Sequence, residues 1–247
     1  MNDGPGRLAT EDDARRAVID VCLRMNAAGI NHGRAGNVSL RWHRGAAEGM
    51  LITPSALAYE AMTVEDIVWI ALETGDETAA PAAAPAAAHG GAAGSQRAPS
   101  SEWRMHRDLL ASRPDDHALV HTHASFAASL ACLPAVQRDG IPAFHYMIAV
   151  AGGDDIRCAA YHTFGSQDLS DAVLAAMSGR RACLMANHGM IAAAAGLDAA
   201  LALAIEVEAL CRMYWQATLA GAPSILDARQ MREVRARFAA SAYGRFD

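Results

Sequence analysis

An α/β fold is predicted by two observations. Apolar stretches of strand length recur at residues 49–53, 67–72, 119–122, 183–187 and 190–194. Between them run longer segments whose apolar residues return every three or four positions, the period of a helix packed on one face. The composition supplies an interior for such a fold, since 52% of the 247 residues are hydrophobic and only 19% are charged. Length alone does not separate one large domain from two small ones.

Thr10 followed by Glu11, Asp12 and Asp13 has the form of a helix start, a hydroxyl cap with acidic residues in the first turn. Val18, Val21, Cys22 and Met25 continue it at helical spacing, and Gly29 ends it. The glycine-rich stretch 31–37 then leads into a strand. Such a turn offers backbone N–H groups to an anion, to which Arg34 or Asn37 would add side-chain donors. Residues 49–53 read as the partner strand and run into Pro54-Ser55-Ala56, where a proline beginning a short helix would leave further N–H groups free. A buried strand follows at 67–72. From 73 to 99 the composition turns abruptly to alanine, proline, glycine and threonine without periodicity, which predicts a mobile loop, at its fullest over 74–98.

Order returns at Pro99. Ser100 or Ser101 can cap a helix reaching 111, placing Glu102 in its first turn, and either hydroxyl together with the helix N-terminus can hold a phosphate. The run 124–132 is apolar and helical, 157–161 is a short strand, and 167–177 is a helix preceded by Ser166. A long helix spans 198–220, stopped by Gly221 and Pro223, and a last one covers 226–238.

The most informative stretch is Leu119-Val120-His121-Thr122-His123-Ala124. Side chains alternate faces along a strand, so His121 and His123 point the same way and can share one divalent metal. Packing explains such a pair poorly, because an imidazole that leaves water needs a partner. A third ligand is offered by His188, in Asn187-His188-Gly189 at the end of another apolar run. Three histidines with one coordination position open are the pattern of a catalytic zinc rather than a structural one.

Several classes are set aside by the same residues. The net charge of −6 and the absence of a long basic block argue against a nucleic-acid partner. No stretch has the eighteen or so uninterrupted apolar residues of a membrane helix, and residues 1–13 are polar and acidic, so a cytoplasmic protein is expected. The five cysteines are scattered, with no C-x-x-C pair to suggest a disulfide framework or a thiolate zinc site. A cupin would need a glutamate soon after its H-x-H, and 124–133 has none; a zinc deaminase would need P-C-x-x-C.

Taken together, Gly36-Asn37-Val38-Ser39, Ile52-Thr53-Pro54-Ser55, Pro99-Ser100-Ser101-Glu102, Val120-His121-Thr122-His123, His145-Tyr146-Met147-Ile148-Ala149, Asn187-His188-Gly189 and Tyr243-Gly244 resemble, in order and spacing, the class II zinc-dependent aldolases. That family groups fuculose-phosphate aldolases with ribulose-phosphate epimerases and the adducin head domain, and the Ser100 to Arg104 and His145 to Ala149 stretches look most like its fuculose-phosphate aldolase branch. The resemblance implies a single domain over 1–247, with a central, mainly antiparallel sheet between layers of helices. It implies that His121, His123 and His188 bind zinc, with Glu102 as the acid/base that also touches the metal when substrate is absent. Imidazole ligands would accept Mn2+ or Co2+ as well. It further implies a phosphate site of Gly36, Asn37, Ser55, Ser100 and Ser101, catalytic tyrosines Tyr146, from a neighbouring subunit, and Tyr243, and an aldehyde pocket shaped by Phe164.

The implied reaction is retro-aldol cleavage of a ketose 1-phosphate, such as L-fuculose 1-phosphate, to dihydroxyacetone phosphate and a small aldehyde such as lactaldehyde. The implied assembly is a fourfold homotetramer with active sites at subunit boundaries. A Schiff-base aldolase is excluded directly, because the chain contains no lysine. Other reactions on the same scaffold are a sugar-phosphate 4-epimerase, a methylthioribulose-phosphate dehydratase and an oxo-sugar-acid-phosphate decarboxylase; a non-catalytic adducin-like module would not need three histidines and Glu102. Ala56 stands where the family usually has glycine, and Arg34 where it has a small polar residue.

Overall fold

The computed structural model describes residues 8–73 and 97–241, so Tyr243 and most of the expected 74–98 loop lie outside the described residues. The first helix, α1 (Glu11–Ala27), starts as its sequence requires: the Thr10 hydroxyl accepts the Asp13 N–H at 3.1 Å. Its buried face, Ala14, Val18, Val21, Cys22 and Met25, packs on the sheet. The chain then forms β1 (Asn37–Arg44), β2 (Ala47–Ile52) and β3 (Val68–Ala71), and after the undescribed segment α2 (Trp103–Ser112), β4 (Ala118–Thr122), α3 (Ser125–Ala131) and α4 (Pro134–Asp139). A two-stranded ribbon of β5 (Ile141–Pro142) and β6 (Asp155–Ile156) encloses a 3-10 helix at Tyr146–Ala151. The remainder is β7 (Cys158–Ala159), α5 (Gln167–Ala176), β8 (Ala182–Met185), β9 (Gly189–Ala194), α6 (Leu197–Ala220) and α7 (Ala228–Ala240).

Among the described residues, seven strands form one sheet in the order β3-β2-β1-β4-β9-β8-β7, antiparallel at every pairing except β7 with β8. The predicted mainly antiparallel sheet between helical layers is therefore found. Strand alternation divides the interior into two cores. Val38, Leu40, Leu51, Val120, Met190 and Ala192 face α1, α3 and α6. Met50, Ile52, Leu119, Ile191 and Ala193 face α2 and α5, whose Trp103, Met105, Leu109, Leu169 and Val173 complete the second core. No helix among the described residues is long and apolar enough to cross a membrane.

Two expected local structures are corrected. Pro54-Ser55-Ala56 is a bridge and turn rather than a short helix: Ser55 N–H donates to Ala98 O and Ser100 N–H to Thr53 O, both at 2.9 Å, so the chain stays extended and pairs with residues 98–100. Helix α2 begins later than expected. Glu102 occupies the cap position instead of the first turn, and the Ser100 hydroxyl accepts its N–H at 3.3 Å. The short α4 and the 3-10 helix at Tyr146–Ala151 carry too few turns to leave a period in the sequence.

Tight approaches around β4 explain two glycines. A Cβ on Gly36, just before β1, would lie 2.5 Å from His121 O, and one on Gly189, which opens β9, would strike Thr122 O, so both segments flanking the H-x-H stretch need a residue without a side chain there. Ala56 presents the reverse case, an alanine held at φ 58 in the left-handed region. Replacement of Ala56 by glycine is expected to raise stability by about 1 kcal/mol, the order of the left-handed penalty less the added chain entropy. The urea midpoint measures it, and an unchanged or lower midpoint refutes the assignment of strain.

Candidate metal centre and active-site cavity

His121 is the penultimate residue of β4, has its side chain on the α2 face, the same parity as Leu119, and is completely buried. Its Nδ1 lies 2.8 Å from Met190 O. A carbonyl only accepts, so Nδ1 carries the hydrogen and Nε2 presents its lone pair to the interior. One residue past the strand, His123 keeps the same parity and brings its Nε2 to 3.2 Å from that of His121. His188 enters from the β8–β9 turn, which folds onto β4 through the β9 pairing. The three ring centroids are 4.8–5.0 Å apart.

Glu102 arrives from the cap of α2, the helix covering that face. Its Oε2 is 3.0 Å from His121 Nε2 and its Oε1 3.2 Å from His188 Nε2. One ligand atom from each of Glu102, His121, His123 and His188 falls within 4.8 Å of the others. The arrangement fits a divalent cation on its own terms. Lone pairs of imidazole nitrogens 3.2 Å apart repel unless something positive stands between them, and Glu102 Oε1 is buried without a hydrogen-bond partner among the described residues.

The electrostatics follow from crowding. Burial by itself would raise the Glu102 carboxyl, but the facing His121 and His188 rings, with the Asn37 amide, outweigh it and hold the group well below the ordinary carboxylate range. Burial opposes charge on His121, and Glu102 overcomes it and raises that imidazole. His123 and His188 are each pushed down to about 4, by burial first and by the neighbouring His121 ring second.

A polar relay behind Glu102 is absent from the sequence reading. Asn37 Nδ2 donates to Glu102 Oε2 at 2.8 Å, His106 Nε2 lies 2.5 Å from Asn37 Oδ1, and Ser39 Oγ lies 2.7 Å from His106 Nδ1. The carboxylate fixes the direction of the whole chain: Asn37 must turn its amino group to it and so accept from His106, which in turn accepts from Ser39. Asn37 and Ser39 share the α2-facing parity of β1, and His106 lies one helical turn after Glu102, which is the signal that could have found it. Asn37, expected to contact phosphate, thus has both ends of its side chain engaged with Glu102 and His106.

A cavity of about 290 Å³ opens in front of the cluster, lined by Ala35, Ser101, Glu102, His123, Tyr161, His162, Phe164, Asn187 and His188. Phe164 is on its wall and is 65% exposed. Tyr161, His162 and Asn187 also line it and were not foreseen; the short β7 gave no pattern that would mark Tyr161 and His162. Ser55 and Ser101 are exposed, whereas Ser100 is buried, and the pairing of 53–55 with 98–100 sets these hydroxyl-bearing segments side by side near Gly36 and Asn37. Arg34 bridges two of these segments through a 2.9 Å bond to Ala56 O. Tyr146 is not on the cavity wall of its own chain; it stands beside His145 and Phe238.

Residues 16–215 match the family described as Class II Aldolase and Adducin N-terminal domain. A 5-methylthioribulose-1-phosphate/5-deoxyribulose-1-phosphate aldolase of Rhodospirillum rubrum is 47% identical over 91% of this chain and 90% of its own. An L-fuculose phosphate aldolase of Escherichia coli strain K12 is 42% identical over 81% of each chain. Among solved structures, an L-fuculose 1-phosphate aldolase superimposes with a TM-score of 0.78 at 33% identity, covering 95% of this chain and all of that one.

His106 gives a pH prediction. It is fully buried, and burial, followed by the His121 charge, pushes its imidazole down to about 3 from 6.5. Above pH 6.5 it is neutral both folded and unfolded and contributes no slope. As pH falls from 6.5 towards 3 the unfolded chain takes up a proton that the fold refuses, so stability is lost over that window. Chemical denaturation at pH 7.5 and 5 should show a smaller acid loss for His106→Gln than for the parent; equal losses refute the assignment.

Proposed function

Because the chain belongs to the class II aldolase and adducin N-terminal domain family, we propose that it cleaves a ketose 1-phosphate between C3 and C4, releasing dihydroxyacetone phosphate and a short aldehyde. The chain is an aldehyde-lyase of this family. The observation that carries the finer reading is the convergence of three imidazole Nε2 atoms and one orphaned carboxylate oxygen at the floor of an open cavity.

In this proposal His121, His123 and His188, with Glu102 when substrate is absent, hold Zn2+, for which Mn2+ or Co2+ can substitute. When bound, the ion supplies Lewis-acid stabilisation of the negative charge that gathers on the ketose oxygens. Glu102 moves the proton at C3, giving it to the three-carbon fragment after the bond breaks and removing it in the synthetic direction. The relay from Ser39 through His106 and Asn37 orients that carboxylate. The C1 phosphate is assigned to the segments carrying Gly36, Asn37, Ser55, Ser100 and Ser101, where backbone N–H groups and hydroxyls replace the missing lysines.

The aldehyde side is assigned to Phe164, with Tyr146 of a neighbouring copy and Tyr243 completing the site in a cytoplasmic homotetramer. Tyr146's position away from its own cavity supports that arrangement. Exposed Tyr161 and Phe164 rings offer the substrate's far end an apolar surface. This favours ketose 1-phosphates whose last carbon bears a methyl or methylthio end, which includes L-fuculose 1-phosphate. The Rhodospirillum rubrum relative supports a second reading within that class, the 5-deoxypentulose 1-phosphates.

Metal-loaded protein incubated with L-fuculose 1-phosphate, 5-deoxyribulose 1-phosphate and ribulose 5-phosphate should yield dihydroxyacetone phosphate from the first or second. A C4 epimer formed without cleavage would overturn the reading. Glu102→Gln is expected to keep one metal ion per chain while turnover drops by about a hundredfold or more, the range of a lost general acid/base. Full turnover in that variant would remove Glu102 from its role. Stripping the ion with a chelator should abolish cleavage and lower the melting temperature, both restored by Zn2+; activity that survives metal depletion contradicts the proposed centre.

A further inference from the structure

The turn that delivers His188 contains a side chain with no place in the mechanism above. Asn187 is one of only two non-glycine residues with positive φ among the described residues, at φ 55, and it lines the cavity next to Glu102, His123 and His188. Its backbone N–H donates to Ala131 O at 3.1 Å. Gln137, on α4, donates through Nε2 to the same Ala131 O at 2.8 Å and to Asn187 Oδ1 at 2.9 Å.

These three bonds fix a direction. The Ala131 carbonyl can only accept, so Gln137 must turn its amino group towards it. The second hydrogen of that group then meets Asn187, which must answer with oxygen. The Asn187 amino group is left at the other end of the planar amide from Gln137, and no hydrogen bond of Nδ2 is found among the described residues.

We infer that Asn187 Nδ2 binds the substrate oxygen at C4, the one that becomes the aldehyde carbonyl, and that Gln137 is a positioning residue that keeps this donor facing the cavity. The inference rests on the aldolase reading. An amide suits the task because it donates a hydrogen bond without taking part in proton transfer, which leaves the C4 hydroxyl proton to a separate acid/base. Asparagine is also among the few residues that tolerate the left-handed conformation, so its backbone and its amide have to be separated experimentally.

Asn187→Gly preserves the backbone and removes the donor. Gln137→Glu has no hydrogens to give when ionised, so it draws the Asn187 amino group to itself and leaves oxygen facing the cavity. Two reactions of the Zn2+-loaded tetramer or monomer, as isolated, are compared: cleavage of whichever of L-fuculose 1-phosphate and 5-deoxyribulose 1-phosphate the parent cleaves faster, and exchange of the C3 proton of dihydroxyacetone phosphate with D2O, which involves no C4 oxygen. In both variants cleavage kcat/KM should fall about tenfold or more, the scale of one lost hydrogen bond to the reacting oxygen. Proton exchange and metal content should stay at parent values in both variants, and the melting temperature in Asn187→Gly; Gln137→Glu sets a carboxylate against the Ala131 carbonyl and is read by exchange and metal content. Adding Gln137→Glu to Asn187→Gly should cause no further loss. Unchanged cleavage in Asn187→Gly, or exchange falling by the same factor as cleavage, overturns the inference alone. Parent protein that neither exchanges nor cleaves overturns the aldolase reading and this inference with it.

Discussion

The constraint on which the rest depends is the burial of one carboxylate among three imidazoles. Glu102 is 5% exposed and His121 not at all, and a charge so far from water is tolerated only where opposite charge and hydrogen bonds surround it. Glu102 has the raised His121 imidazole on one side, with the His188 ring beside it, and the directed amide of Asn37 on the other. Much of the second core serves this arrangement. Helix α2 must lie against β4 at the height that brings its cap to the strand's end, and Trp103, Met105 and Leu109 hold it there among Met50, Ile52 and Leu119.

The neighbouring elements meet the same requirement by different means. Gly36 and Gly189 admit β1 and β9 to within contact of the β4 backbone where it carries the histidines. Just beyond His123, α3 begins, and the buried carboxylate of Glu208 on α6 accepts the N–H groups of Phe126 and Ala127 at 2.8 Å each. The carboxylate complements the helix's positive end, fastening the segment after His123 to α6, the longest helix among the described residues. Behind His188, Gln137 and Ala131 hold the turn from the other side. The cluster is thus supported from three directions.

The same geometry separates chemistry from specificity. The groups that would hold a metal and move a proton sit on β4, on the β8–β9 turn and at the cap of α2, all anchored in the cores. The groups that would meet the variable end of a substrate, Tyr161, His162 and Phe164, lie on a connecting segment after β7 and are open to solvent. On the proposed reading, rigid elements would carry what the reaction class has in common and a loop what differs between substrates.

What the sequence determined alone is local. Strand alternation in 119–123 put two histidines on one face; the Thr10 cap and the glycine and proline after Ala220 bounded helices; the absence of lysine excluded a Schiff base. Each follows from residues close in the chain, whose relative positions a strand or helix fixes by itself. Tertiary structure decided the pairing of 53–55 with 98–100, which unwound an expected helix and strained Ala56, and the relay of Ser39, His106 and Asn37. It also decided the entry of Tyr161, His162 and Asn187 into the cavity. These contacts join residues dozens of positions apart. Local periodicity carries no information about them, because they are set only when the two faces of the sheet are covered and the strands have chosen their neighbours.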